Sequence, residues 1–182
     1  MMQWGTFQIA HGDVHQLGDR LMAFRETYRR LAAHRSEVLE AAVYVESRLE
    51  FLLCRLFIGV NETREALFRS FVLDPDTGSF HAKWRMLRGA LEVVGLPPGS
   101  ITEAERHEMS AGIRDVISTR NMFAHGDIFV DARDGRAFIQ YYEGKRREEY
   151  VDDAFLRAYM GLAEMVAERM DQITSALTPH QA

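Results

Sequence analysis

Arg120, Asn121 and His125 stand close together in the stretch Arg120-Asn121-Met122-Phe123-Ala124-His125-Gly126. These residue types are the parts needed to grip a phosphate and move a proton beside it. Arginine donates a planar fork to phosphate oxygens and keeps its charge. Imidazole in water titrates near pH ~6.5, so a histidine can serve as base or acid at neutral pH. Charge held ready for a developing anion is often the largest catalytic contribution. The interval alone is not specific, because Arg29 and His34 repeat it. Specificity lies in Asn121, in Ala124 and Gly126 flanking the histidine, and in the helix-then-hairpin context.

The element that must carry these residues is a helix opened by Thr102 and Glu105, a capping box in which hydroxyl and carboxylate each satisfy an orphan amide. Along it Met109, Ile113, Val116, Arg120 and Phe123 recur at spacings of four and three, so Arg120 falls on the apolar stripe where a leucine is expected. Ile117, Asn121 and His125 follow at spacings of four on a neighbouring line. Arg114, Asp115, Ser118 and Thr119 take the solvent side. A polar residue that breaks a consistent apolar pattern is a candidate functional site. Arg120 and His125 are five apart, so on an ideal helix they diverge by about 140°. They converge on one ligand if the helix ends or distorts there, or if a second protomer completes the cleft. Structural roles also fit these residues: His125 as a cation at the helix C-terminus, and Arg120 held by Glu46, Glu50 or Asp127.

The rest of the chain reads as a frame for that helix. Residues 1–12 form a leader without a clear period; His11, Asp13 and His15 lack a further ligand cluster and read as a solvated helix start. From Asp13, the residues Leu17, Leu21, Phe24, Tyr28 and Leu31 mark one helix face, with Arg20, Arg25, Glu26, Arg29, Arg30 and Arg35 on the solvated side. Val38, Ala42, Val45, Leu49, Leu52 and Leu56 form a second stripe, which either continues that helix or starts anew near Ser36. Gly59 and Asn61 end it and cap a short helix from Glu62 to Leu73, whose buried side is Leu67, Phe68, Phe71 and Val72. Asp74-Pro75-Asp76-Thr77-Gly78 is a turn, and Ser79 caps a helix bearing Trp84, Leu87, Leu91 and Val94. After Gly126 the pattern becomes β-prone at Ile128–Val130 and Ala137–Tyr142, with a tight turn at Asp134-Gly135 and a third short strand near Glu149–Val151. Tyr141, Tyr142 and the basic turn Lys145-Arg146-Arg147 belong to a hairpin expected to pack on its own helices, although aromatics beside cations can also clamp RNA. Asp152 or Asp153 caps a last helix with the stripe Phe155, Tyr159, Leu162, Val166, Met170, Ile173 and Leu177.

These elements predict a mainly α fold: a single-domain antiparallel helical bundle over residues 1–182, with a small β-hairpin before the C-terminal helix and a tail at 178–182. The 182 residues suffice for one well-packed core. No apolar run is long enough to span a bilayer, and no secretory signal pattern opens the chain, so no membrane association is expected. The single cysteine, Cys54, lies in an apolar helical pattern and fits a buried thiol in a reducing, cytoplasmic setting. A net charge of −5 argues against a generic nucleic-acid coat, without excluding a local basic groove.

The segment Arg120–Gly126 resembles the signature of the HEPN superfamily, an Arg-x4–6-His motif of which RN-x-x-AHG is a common form. The layout of several helices, a late motif, a hairpin and a closing helix is similar too. That resemblance implies a single HEPN-like helical domain acting as a homodimer, with the two motifs facing one cleft. It implies a metal-independent endoribonuclease, without metal or cofactor, of the kind found in toxins and antiviral defence, acting on an RNA substrate and restrained by a cognate inhibitor or antitoxin. Arg120 would hold the scissile phosphate and Asn121 would orient the phosphate or the histidine. His125 would take the ribose 2′-hydroxyl proton or protonate the leaving oxygen. The alternative within the same family is a non-catalytic dimer that binds a nucleotide, RNA or a partner protein.

Overall fold

The two apolar stripes at the start of the chain turn out to share one helix. In the computed structural model, which describes residues 8–10, 21–74 and 78–177, α1 runs unbroken from Leu21 to Phe57. Ser36 does not interrupt it, because no proline or glycine stands between Leu31 and Val38 to break or weaken the helix. The metal-like trio His11, Asp13 and His15, the residues 13–20 assigned to the helix start, Pro75–Thr77 of the turn and the tail at 178–182 lie outside the described residues.

Four further helices follow among the described residues: α2 (Glu62–Phe71), α3 (Phe80–Val94), α4 (Glu103–His125) and α5 (Asp153–Leu177). Their starts are set locally. Asn61 accepts from the Arg64 amide and Ser79 from the Ala82 amide. Glu105 accepts from the Thr102 amide at 2.8 Å, and Asp152 accepts from the Phe155 amide at 2.8 Å. The strands are β1 (Gln8–Ala10), β2 (Asp127–Asp131), β3 (Ala137–Glu143) and β4 (Lys145–Tyr150). They form one sheet in the order β1-β2-β3-β4, parallel between β1 and β2 and antiparallel thereafter. The fold is therefore mainly helical with a small four-stranded sheet, larger than the expected hairpin. The extra strand lies inside the supposed leader: three residues carry too little alternation to be read as a strand, and β1 is defined by its partner, Ile9 opposite Val130. No helix among the described residues is long and apolar enough to cross a membrane.

The chain clusters into two compact units, Met1–Glu40 with Thr119–Met160, and Ala41–Ser118 with Gly161–Ala182. In the first, Phe24, Val130 and Ala132 form a buried cluster with Ile9 and Tyr28 against it. Phe123 packs on Phe155 at 6.4 Å between ring centres. The wholly buried Asp131 ends β2 and accepts from the Arg133 guanidinium and from the Tyr150 hydroxyl, each at 2.6 Å. Arg133 leads in holding its carboxyl well below the ordinary carboxylate range.

The second unit holds a part-buried ion cluster. Lys83, only 2% exposed, donates to Glu46 at 2.7 Å and Glu50 at 2.5 Å. Glu50 also takes Arg69 at 3.2 Å, which in turn reaches Glu65 at 3.0 Å. Burial pulls the Lys83 ammonium toward losing its proton, but the bonds and charges of the two carboxylates outweigh it and raise its pKa. Lys83→Met leaves two half-buried carboxylates facing each other; it is expected to cost about 3 kcal/mol, read as a lower denaturant midpoint at unchanged slope. Cys54 is buried in this unit, and burial pushes its thiol pKa up. The expected buried side of α2 is not found. Leu67, Phe71 and Val72 are exposed and α2 holds no buried residue; Phe68 meets Phe57, and ion pairs through Arg69 secure the rest.

Candidate functional site

The last turns of α4 carry the candidate residues, and Arg120, Asn121 and His125 are all exposed. Arg120 thus leaves the stripe on which its spacing placed it. The apolar face passes from Val116 through the half-buried Thr119 to Phe123, spacings of three and four that put Arg120 beside the seam. The small Thr119 fills a place that the guanidinium could occupy only by losing its water. Arg120 Nη1 instead donates to Asn121 Oδ1 at 3.0 Å, which leaves the rest of the guanidinium fork open. Asn121 and His125, four apart on an unbroken helix, share one face. His125 makes no hydrogen bond or ion pair among the described residues.

None of the carboxylates suggested for Arg120 holds it. Glu46 and Glu50 are engaged by Lys83 and Arg69. Nor does His125 cap the helix. One carbonyl in the last turn of α4 and one just past its end are met by Arg35 on α1, whose Nε donates to Phe123 O at 2.6 Å and whose Nη2 donates to Gly126 O at 2.5 Å. Two orphan carbonyls are satisfied by one planar cation at the negative end of the helix dipole. His125 lies between them in sequence, so the clamp fixes the backbone on both sides of it. Arg35 is half-buried here rather than part of the solvated face assigned to it. The signal was available: Leu31, Arg35, Val38 and Ala42 recur at spacings of four, three and four, so Arg35 occupies an apolar-stripe position.

Gly126 is fixed by close approach. A β-carbon there would meet Ile139 Cγ2 and would stand 2.6 Å from Met122 O. The helix can therefore turn into β2 against β3 only with no side chain at this position. Gly126→Ala is expected to cost about 2 kcal/mol through overpacking and to shift His125; a thermal melt with and without the substitution reads the first effect.

The site lies on open surface. The same unit has a recess of about 170 Å³ lined by Leu31, His34, Arg136, Val151 and Leu156 among others, but none of Arg120, Asn121 and His125 lines it. The helix runs without distortion to His125, so within one chain the Arg120 and His125 side chains leave it about 140° apart. The chain thus offers an exposed arginine–asparagine pair and an exposed imidazole without a bonding partner among the described residues. No family model, no curated protein and no solved structure matches the chain.

Proposed function

We propose that this chain is a HEPN-like, metal-independent endoribonuclease that acts as a homodimer in the cytoplasm, in a toxin or antiviral-defence role. The observation that carries the reading is the exposed end of α4, where Arg120 is tied to Asn121 and a free His125 shares the Asn121 face. In this reading the whole chain is one antiparallel helical-bundle domain, and a second copy lays its motif across a two-fold axis. The divergence of Arg120 and His125 on one helix supports that dimer, since a second copy brings the missing partner to each.

Arg120 grips the scissile phosphate and stabilises the charge that builds on it. Asn121 orients the phosphate through its side-chain amide. His125 removes the 2′-hydroxyl proton; the 2′-oxygen bonds to phosphorus and the bond to the 5′-oxygen breaks. The same histidine of the second copy gives a proton to that oxygen. The products are a 2′,3′-cyclic phosphate and a 5′-hydroxyl, and DNA, lacking the nucleophile, is not cut.

A second reading is a non-catalytic dimer that binds a nucleotide, RNA or a partner protein; the open surface around the motif favours it. An assay in EDTA on mixed structured and single-stranded RNA separates the two. Cleavage by the parent protein, leaving cyclic phosphate ends and absent in His125→Ala, is expected. Specific binding without cleavage under any condition would replace the enzyme with the binding module. Equal cleavage by both proteins would remove the motif from the chemistry.

A further inference from the structure

The β3–β4 hairpin is longer than the sheet that bears it. β2 pairs with β3 only as far as Asp127 opposite Gln140, whereas β3 and β4 stay paired out to Glu143 opposite Lys145. Residues Tyr141–Arg147 therefore project beyond the first residue of β2. That end of β2 is where α4 delivers the chain, since Asp127 follows His125 and Gly126 directly. A β-carbon on Gly126 would meet the Ile139 side chain and would stand 3.1 Å from the Gln140 carbonyl. The overhang thus starts level with the motif. At about 3.4 Å per residue, Tyr142 lies about 7 Å further along β3 than Gln140.

Its composition differs from the acidic chain as a whole. Lys145, Arg146 and Arg147 face a single carboxylate within the overhang, Glu143, which Arg147 holds at 3.1 Å. Lys145 and Arg146 make no ion pair among the described residues. Glu148 and Glu149 sit at the root, opposite Gln140 and Ile139, and Glu148 accepts from Gln140. Tyr142 is 78% exposed and directly opposite Arg146; Tyr141 is opposite Arg147 on the other face. The hairpin does not pack on its own helices along β4, which is exposed from Lys145 to Glu149. Charges on an edge strand are a common guard against edge-to-edge pairing. That guard explains the lysine and arginines but not an open tyrosine beside them.

The geometry points to the overhang as a clamp for single-stranded RNA, an inference that rests on RNA being the ligand of the Arg120–His125 site. A base stacks on Tyr142, and Arg146, opposite it on the same face, holds a backbone phosphate of the strand whose scissile bond reaches His125. The occupant is a nucleic-acid strand, because an exposed π-face beside a cation without an ion pair among the described residues matches a base and its adjoining phosphate.

The test uses the full chain carrying His125→Ala, which cannot cut, and a fluorescein-labelled single-stranded RNA of mixed sequence read by anisotropy. Adding Tyr142→Ala and Arg146→Ala is expected to weaken Kd at least tenfold and to lower the salt slope by about one. Tyr142→Phe alone should bind like its parent, since the ring suffices for stacking. With His125 intact, the double substitution should lower kcat/KM for cleavage to a similar degree. Unchanged Kd and unchanged kcat/KM, with cleavage still dependent on His125, would overturn the clamp and leave the ribonuclease standing. No RNA binding by the His125→Ala chain and no cleavage by the parent would overturn both.

Discussion

In the proposed ribonuclease, His125→Ala is expected to lower RNA cleavage by about 10²–10⁴-fold, the usual worth of a positioned general acid or base. Arg120→Ala should cost about 10²–10³-fold, by loss of the charge that meets the developing phosphorane. Both side chains are exposed, so neither substitution removes buried contact. Melting temperatures should stay near the parent value, since surface changes of this kind shift stability by within about 0.5 kcal/mol. The combination is the diagnostic result: activity lost, fold and oligomeric state kept. Arg120→Lys keeps the charge but not the fork, and should recover only part of the rate. In a homodimer whose shared cleft uses the His125 of both copies, mixing parent chains with His125→Ala chains should lower activity below the share of parent dimers plus full activity of mixed ones, because every mixed dimer lacks one of the two histidines. Full activity in either single variant would mean that the named roles are wrong.

Arg35→Ala should have the largest effect on stability near the site. The guanidinium is half-buried and gives two short bonds, to Phe123 O and Gly126 O. Removing it leaves two carbonyls at a helix end without their donor, at about 3 kcal/mol, which for a chain of this size lowers Tm by about 10 °C. Arg35 is a positioning residue, since it holds the backbone around His125 and has no part in the chemistry. Its loss should therefore reduce kcat more than it raises KM, and faster amide hydrogen exchange should be confined to the residues around 123–126. Arg35→Lys, with one point charge in place of a fork, should recover the carbonyl contact in part and the rate in part. If Arg35→Ala melts with the parent and cuts RNA at the parent rate, the clamp contributes nothing to the site.

Local chemistry was legible in the sequence because it acts over three or four residues. Asn61, Ser79 and the Thr102–Glu105 box each cap the helix that follows, and of Asp152 and Asp153 it is Asp152 that caps the last. The turn at Asp134-Gly135 closes with Gly135 at φ 77°, as its residue types require. Periodicity likewise located α3, α4 and α5, since an apolar stripe reports helix phase directly.

Other features depend on what lies across from a residue, and that only the tertiary structure decided. Arg35 and Arg120 both stand at stripe positions, yet Arg35 turns inward to two carbonyls while Arg120 stays in water. Spacing cannot tell the two apart, because the outcome rests on whether acceptors wait at the buried end. The same holds for Lys83 on α3, which is buried where Glu46 and Glu50 of α1 meet it, while Arg85 and Arg88 of the same helix are not buried. It holds for β1, whose three residues become a strand through a parallel partner far along the chain. Sequence alone determined most of the helices, their caps and the place of the Arg120–Gly126 segment at the end of α4. Tertiary structure decided which charges are buried, which remain free, and that a hairpin overhangs the helix end that bears them: burial of a charge depends on partners that sequence spacing does not specify.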